Sequence, residues 1–325
     1  MQEDPILEVE DLKTHFFTRS GVVKAVDGIS FQVGRGETLG IVGESGSGKS
    51  MTAWSILGLV PQPAGRIVGG KITYLGEDLL EKNESEMRDI RGKGICMVMQ
   101  DPLTSLNPVF TIGNQLLESL RMDSKESKPT LMQKAAQLLA NVRIPAPESR
   151  LSVFPHQMSG GMRQRVVGAI AMARSPNLLI ADEPTTSLDA TIQLQYLRLL
   201  KEIQAETGTA ILFITHDFGV VARMCDRVAV MYAGKIVEQA SVLELFDNPQ
   251  HPYTEALLKS VPNLNDDVDF LPSIEGQPPT LDDLPEGCAF APRCPHAFDK
   301  CNVYPGESFI GQDHVASCWR LDGTN

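Results

Sequence analysis

The sequence predicts an α/β fold: a parallel sheet covered on both faces by helices and interrupted by a helical insert. Three observations carry that expectation. Between Leu178 and Tyr232, short apolar strands alternate with helical segments (Leu178–Ala181, Thr191–Glu206, Ala210–Thr215, Phe218–Met224, Arg227–Tyr232), the pattern of successive βαβ units. The apolar run Thr38–Val42 leads into a glycine-rich turn and then a helical stretch from Lys49 to about Leu59. Hydrophobic content of 42% with 22% charged residues is that of an ordinary globular chain.

Taken in order, the chain opens on two β-rich runs, Ile6–Phe16 and Val22–Val33, punctuated by Gly21 and Gly34. From about Leu103 to Ala173 it reads mainly as helix, and Leu131–Val142 places apolar residues at helical spacing. After about Pro262 the character changes. Eight of the 21 prolines fall in the last 64 residues, which predicts a separate loop-rich unit. No stretch approaches the roughly 18 apolar residues of a spanning helix. The start, Met1-Gln2-Glu3-Asp4-Pro5, is acidic and lacks the apolar core of a signal peptide, so a cytosolic protein is expected, with any membrane role exerted through a partner. A net charge of −12 argues against a general nucleic-acid binder, which needs a basic face.

The chemistry begins at Gly43-Glu44-Ser45-Gly46-Ser47-Gly48-Lys49-Ser50, which fits G-x-x-x-x-G-K-[ST] between a predicted strand and helix. Glycines let backbone amides turn toward phosphates, and the helix N-terminus adds its positive end. Lys49 can reach the β- and γ-phosphates, and the Ser50 hydroxyl can ligate Mg²⁺. A second element, Leu178-Leu179-Ile180-Ala181-Asp182-Glu183, ends an apolar strand in two carboxylates. Asp182 is placed to hold Mg²⁺, and Glu183 to polarise an attacking water as general base. Between them, Met158-Ser159-Gly160-Gly161-Met162 precedes a helix expected over Arg163–Ala173 and offers a second anion site of a hydroxyl and free amides.

With that turn 23 residues before Asp182, the sequence resembles the ABC (ATP-binding cassette) ATPases, whose signature is typically Leu-Ser-Gly-Gly-Gln. Both flanking positions are Met here, while the Ser159-Gly160-Gly161 core is intact. Gln100 resembles the family's Q-loop glutamine, Ser187-Leu188-Asp189 its D-loop, and His216 its switch histidine. Phe16 sits where the family places an aromatic on adenine, with Phe17 or His15 as substitutes. The resemblance spans about residues 6 to 260. It implies a P-loop NTPase core with an N-terminal antiparallel β-subdomain, a helical insert over about 103–173, and a cassette ending near residue 261. A small cysteine-containing extension over 262–325 would follow. It also implies ATP and Mg²⁺ as ligands and a head-to-tail dimer, in which Ser159 and Gly161 would serve the partner's nucleotide.

Further wording narrows the resemblance. The phosphate loop, the stretch Gln100-Asp101-Pro102-Leu103-Thr104-Ser105-Leu106-Asn107-Pro108, and His251-Pro252-Tyr253-Thr254 look like the D-type ATPase subunit of dipeptide and oligopeptide importers. Such a subunit would pair with an F-type ATPase beneath two permeases fed by a periplasmic binding protein, on the cytoplasmic face of the inner membrane. Nickel, glutathione and other small-solute importers share these features, so peptide is the commonest solute in the group and not one derived from residues. A soluble ABC ATPase of DNA repair or of the ribosome is the rival of another class. One cassette, a short insert and an acidic balance speak against it.

Cys288, Cys294, Cys301 and Cys318 are spaced C-x5-C-x6-C-x16-C among Pro285, Pro292, Pro295 and Pro305. Disulfides are disfavoured in a reducing cytosol, and four thiolates suit zinc or an iron–sulfur cluster. The spacing is neither a tight zinc ribbon nor the common ferredoxin run. The resemblance implies a 4Fe–4S cluster on these four cysteines, with zinc as the alternative. Cys96 and Cys225 read as ordinary core cysteines.

Overall fold

The structure is a computed structural model that describes residues 4–122, 124–261, 273–311 and 313–322. The acidic start at Met1–Glu3 and the expected boundary at Pro262 lie outside the described residues. Along the chain, β1 (Leu7–Phe17), β2 (Val22–Val33) and β3 (Thr38–Val42) precede helix α1 (Lys49–Ile56), and β4 (Gly65–Tyr74) and β5 (Glu77–Asp78) follow. Next come α2 (Glu84–Ile90), β6 (Ile95–Val98), α3 (Pro102–Ser105), α4 (Ile112–Arg121), α5 (Lys128–Asn141), α6 (Pro147–Arg150) and α7 (Gly160–Met172). The alternating stretch supplies β7 (Leu178–Asp182), α8 (Ala190–Thr207), β8 (Ala210–Thr215), α9 (Phe218–Met224), β9 (Arg227–Tyr232) and β10 (Lys235–Ser241). Helices α10 (Val242–Asp247) and α11 (Pro252–Lys259) and the short strands β11 (Ser308–Phe309) and β12 (Val315–Ala316) complete the chain.

The residues divide into two compact units, one made of the chain up to Lys82 together with the chain from Phe213 onward, the other of Asn83–Leu212. In the first unit, β1 pairs antiparallel with β2 and with β4, in the hydrogen-bonded order β2-β1-β4-β5. This is the antiparallel β-subdomain. Its inward face is Leu7, Val9, Leu12, Val26, Ile29, Phe31 and Ile72, all buried, with charged residues such as Glu8 and Glu10 alternating between them. A second sheet in the same unit runs β11-β12-β10-β9-β3, and β8 adds to β3 where the chain returns from the second unit. Strands β3 and β9 pair in parallel, Leu39 to Val42 against Arg227 to Val230. Every residue of β3 is buried, as a parallel strand covered on both faces requires.

The extension after residue 273 contributes to that sheet. Ala316 and Val315 pair with Glu238 and Gln239 of β10, and Ser308 and Phe309 extend the ladder. Glu238 is buried, and its carboxylate accepts from the backbone N–H of Gln250 and His251 and pairs at 2.8 Å with His314 Nε2. A buried carboxylate needs such a full set of partners. Here they tie β10, the start of α11 and the extension together.

The second unit holds a parallel pair, β6 against β7 with Ile95–Val98 opposite Leu178–Ala181, and a set of packed helices. Helix α4 packs on α5 and α7, burying Ile112, Leu116 and Leu117, and α5 presents Leu131, Ala135, Ala136 and Leu139. The helix expected from Leu131 is in place and starts three residues earlier, with Pro129 in its first turn.

Candidate functional site

In the first unit, the turn after β3 has a backbone that only glycine can follow. A Cβ on Gly43 would lie 2.1 Å from the Met231 carbonyl oxygen, and one on Gly48 would lie 2.2 Å from that of Ala25. Gly48 also takes φ +107° and Gly46 φ +80°. Gly48 precedes α1 and gives it no side-chain cap, and the N-terminal end of the helix carries the partial positive charge that suits an anion. Lys49 is 5% exposed, and its ammonium donates to the carbonyls of Gly43 (2.7 Å) and Glu44 (2.9 Å). Held inside the loop, it is positioned to exchange those carbonyls for phosphate oxygens. The Ser47 hydroxyl is buried with no hydrogen-bond partner among the described residues, and the Ser47 carbonyl accepts from Gly234 N–H at 2.9 Å. Ser45 and Ser50 are exposed.

Other expected residues belong to the same unit. His216 follows β8 directly and is exposed. Phe16 is half-buried with its ring edge against Gly65, Phe17 is exposed beneath the Arg66 guanidinium, and His15 pairs with Asp27 at 3.3 Å. Of the three aromatic candidates, His15 is thus already engaged.

In the second unit, β7 delivers Asp182 and Glu183 as the sequence suggests. Asp182 is buried at the strand end, and Glu183 takes a left-handed backbone, φ +45°. A non-glycine residue rarely adopts that conformation, which costs about 1 kcal/mol or more. Here it turns the carboxylate to accept from Gln100 Nε2 at 3.1 Å and from Thr186 Oγ1 at 3.0 Å. Gln100 comes from just beyond β6, the strand paired with β7, which is why residues 83 positions apart meet. Such a carboxylate, an acceptor fixed by two donors, is equipped to hold and deprotonate a water.

The Ser159-Gly160-Gly161 turn is the first turn of α7. Ser159 Oγ accepts from Met162 N–H at 3.4 Å, and the three residues lie at the surface or half-buried. Gly160 has open space where a Cβ would sit, whereas one on Gly161 would meet Ile192 Cγ2 at 2.7 Å. Asp189 caps α8 by accepting from the N–H groups of Thr191 and Ile192.

The four tail cysteines line a single cavity, walled by Phe290, Phe298, Trp319 and Pro305. Burial pushes the thiols of Cys294 and Cys318 up, and that of Cys288 to about 11, with the nearby Cys301 and Cys318 sulfurs adding to it. All four are soft thiol donors set among apolar walls, but lining one cavity does not bring them to a single point. Among the described residues no three His, Cys, Asp or Glu side chains stand at coordinating spacing. Cys225 is buried as expected and Cys96 half-buried.

Arg293 was not marked by its sequence context, and Tyr253 only as part of the stretch His251–Thr254. Arg293, next to Cys294, forms a bidentate pair with Glu44 of the phosphate loop, Nη1–Oε2 2.7 Å and Nη2–Oε1 3.1 Å. Tyr253 Oη accepts from the Glu44 backbone N–H at 2.9 Å. Nothing local in the sequence could reveal contacts across 249 and 209 positions.

The geometry matches known proteins. Residues 26–186 match the family model described as ABC transporter, and residues 237–301 match that for the oligopeptide/dipeptide transporter C-terminal region. The chain is 52% identical to the oligopeptide transport ATP-binding protein OppD of Bacillus subtilis, over 97% of this chain and 89% of that one. It belongs to the ABC transporter ATP-binding proteins. Against the dipeptide transport ATP-binding protein DppD of Bacillus subtilis, the identity of this ABC protein is 48% over 98% of its chain and 96% of the relative. Among solved structures, cbiO1 from Clostridium perfringens, part of the ABC transporter complex cbiONQ, superposes with a TM-score of 0.65 at 28% identity, covering 76% of this chain and 92% of that one. The dimeric structure of the ABC transporter cassette MJ0796 gives 0.65 at 25%, covering 73% and 98%. The fold is therefore that of the ABC ATPases, with ATP and Mg²⁺ as the ligands expected of it.

Proposed function

We propose that this ABC protein is the ATP-hydrolysing subunit of an importer of dipeptides or oligopeptides. The observation that carries the reading is the pair of built sites: a loop around buried Lys49 whose Gly43 and Gly48 admit no side chain, and a Glu183 carboxylate turned by a left-handed backbone onto Gln100 and Thr186. Loop 43–50 would take the triphosphate, Lys49 meeting its β- and γ-oxygens, while Ser50 and Asp182 hold Mg²⁺. Water, its proton passing to Glu183, attacks the γ-phosphorus. The bond to the β–γ bridging oxygen breaks, and ADP and inorganic phosphate leave. His216 contacts the γ-phosphate and Phe16 the adenine. Ser159, Gly160 and Gly161 with Asp189 would face the nucleotide of a second ATPase subunit, an F-type chain, in a head-to-tail dimer.

The cassette, residues 1–261, drives two permeases fed by a periplasmic binding protein, from the cytoplasmic face of the inner membrane. No helix among the described residues is long and apolar enough to cross a membrane, so passage of solute belongs to those partners. Peptide as the solute is supported by the match of residues 237–301 and by the names of the relatives. Deleting the gene and following labelled dipeptide and tripeptide uptake tests it. Loss of peptide uptake is expected, and intact peptide uptake with loss of nickel or glutathione uptake would reassign the solute.

A second reading concerns the extension, residues 262–325. Cys288, Cys294, Cys301 and Cys318 line one cavity, and from this together with the family resemblance we infer a resident soft-metal centre, a 4Fe–4S cluster with zinc as the alternative. These four thiolates would hold it, and it would cross-link the stretch from Cys288 to Cys318. Iron, sulfide and zinc analysis of anaerobically purified protein tests this. About four irons and four sulfides per chain mark the cluster, one zinc the alternative, and neither metal leaves the cavity a thiol pocket.

A further inference from the structure

Glu44 is the second residue of the phosphate loop, and each of its polar groups is engaged. Its N–H donates to Tyr253, its carbonyl accepts from Lys49 Nζ and Ser47 N–H, and its carboxylate is gripped by both terminal nitrogens of Arg293. Arg293 reaches it from the extension, in a 3₁₀ turn over Ala291–Arg293 that ends at Cys294. Its side chain is only 4% exposed. It lies against the rings of Tyr232 and Phe290, 5.9 Å from each centroid, donates from Nη1 to Tyr232 Oη at 3.3 Å, and donates from Nε to the Glu275 carbonyl at 3.1 Å. The platform beneath it is rigid: Tyr232, Tyr253 and Phe290 are buried, with ring centroids 4.5 to 5.4 Å apart.

Two physical consequences follow from this pair. A fork-to-fork contact between guanidinium and carboxylate fixes orientation as well as distance, so it sets where Glu44, and hence the carbonyl that holds Lys49, stands. A carboxylate on a loop that must receive a triphosphate also opposes the ligand unless its charge is met, and Arg293 meets it. We propose that Arg293 is a positioning residue of the nucleotide site, through which the cysteine-bearing extension sets the geometry and charge of the phosphate loop. The inference rests on the reading of loop 43–50 as a nucleotide site. It gives the extension a task inside the ATPase, independent of which metal, if any, the cysteines hold.

The test is equilibrium binding of a fluorescent ATP analogue with Mg²⁺ to the purified full chain, alongside thermal melting. Arg293→Ala is expected to raise the dissociation constant about tenfold, the size of one uncompensated like charge within roughly 10 Å of a polyanion. Arg293→Met, which keeps an apolar stem on Tyr232 and Phe290, gives the same measurement if the alanine variant does not fold. Neutralising the orphaned carboxylate in Arg293→Ala/Glu44→Gln is expected to restore affinity to within about threefold of wild type. The single variant's defect is also expected to shrink as salt rises. A merely structural Arg293 would show neither rescue nor salt dependence. An Arg293 variant that binds as wild type does, or a double variant no tighter than the single, overturns the proposal. A wild-type chain that binds no nucleotide overturns the functional reading first and this inference with it.

Discussion

Gln100 Nε2 donates to Glu183 Oε2 at 3.1 Å, so the residue beyond β6 holds the carboxylate beyond β7. The two strands run parallel with Val98 opposite Ala181, which brings the segments bearing Gln100 and Glu183 out at the same end of the pair. Thr186 supplies a second donor to the same oxygen. Replacing Glu183 with Gln keeps the shape and removes the base. Phosphate release should fall by about 100-fold or more while affinity for Mg·ATP stays within a few-fold of wild type. Turnover near wild type would show that another group takes the proton.

The phosphate loop separates two effects of glycine. Gly48→Ala places a Cβ 2.2 Å from a backbone oxygen, which cannot yield, and should cost about 3 kcal/mol or more together with nucleotide binding. Gly46→Ala meets no atom within 4 Å but keeps φ +80°, so it should cost about 1 kcal/mol, with binding weakened only modestly. Urea unfolding and ligand titration of the two variants check the contrast. Equal losses would mean that the close approach at Gly48 is not the constraint.

The turn at the start of α7 makes a similar distinction on the surface. Gly160→Ala enters open space and should leave the melting temperature unchanged. Gly161→Ala must push Ile192 aside and should cost about 1 kcal/mol. If the turn serves a partner's nucleotide, both variants lower ATP turnover of the assembled dimer, Gly160→Ala without loss of stability. Wild-type turnover in a stable Gly160→Ala dimer would remove the turn from the reaction.

His251 makes the fold sensitive to acid. Its Nδ1 accepts from the Tyr253 N–H at 3.1 Å, and full burial lowers its pKa to about 3, with the nearby Arg320 charge adding to the effect. The folded state therefore binds this proton more weakly than the unfolded chain, whose histidine titrates near 6.5. The stabilisation is complete above pH 6.5 and is lost as pH falls toward 3, amounting to on the order of 2 kcal/mol between pH 7 and 5. Denaturant midpoints across that range should fall for the wild type. They should be flatter for His251→Asn, which keeps an acceptor at the helix cap.

The elements with a strong period and a simple boundary were legible from sequence. The strands β3, β7, β8 and β9 and the helix α9 occupy the expected residues to within one position, because continuous apolar runs between turn residues leave few alternatives. Boundaries shifted where local chemistry decided them. Helix α1 stops at Ile56 instead of about Leu59, where Gly58 with φ +63° follows, and α7 begins at Gly160 instead of Arg163, because Ser159 caps glycines that read as a turn. Strand β4, with Gly65, Gly69 and Gly70 in its run, gave no period to recognise, and β11 and β12 are too short to show any. Within the site, the phosphate loop and the Asp182–Glu183 pair could be named from local pattern, whereas Gln100, Asp189, His216 and Phe16 were named only through the resemblance to the ABC ATPases. The bracing contacts of Arg293 and Tyr253 could not be named, since they join segments more than 200 positions apart.

The pairing of β12 with β10 has a consequence for the cassette as a polymerising hazard. A strand of seven residues with Val237 and Ala240 buried would, if uncovered, offer a row of unpaired N–H and C=O groups to any neighbouring molecule. The extension occupies that row itself, with a two-residue strand and then another so short that little remains to be copied. A chain cut before residue 273 would expose the ladder of β10 and the Glu238 carboxylate stripped of His314. Such a fragment should be recovered as aggregates, however intact its phosphate loop.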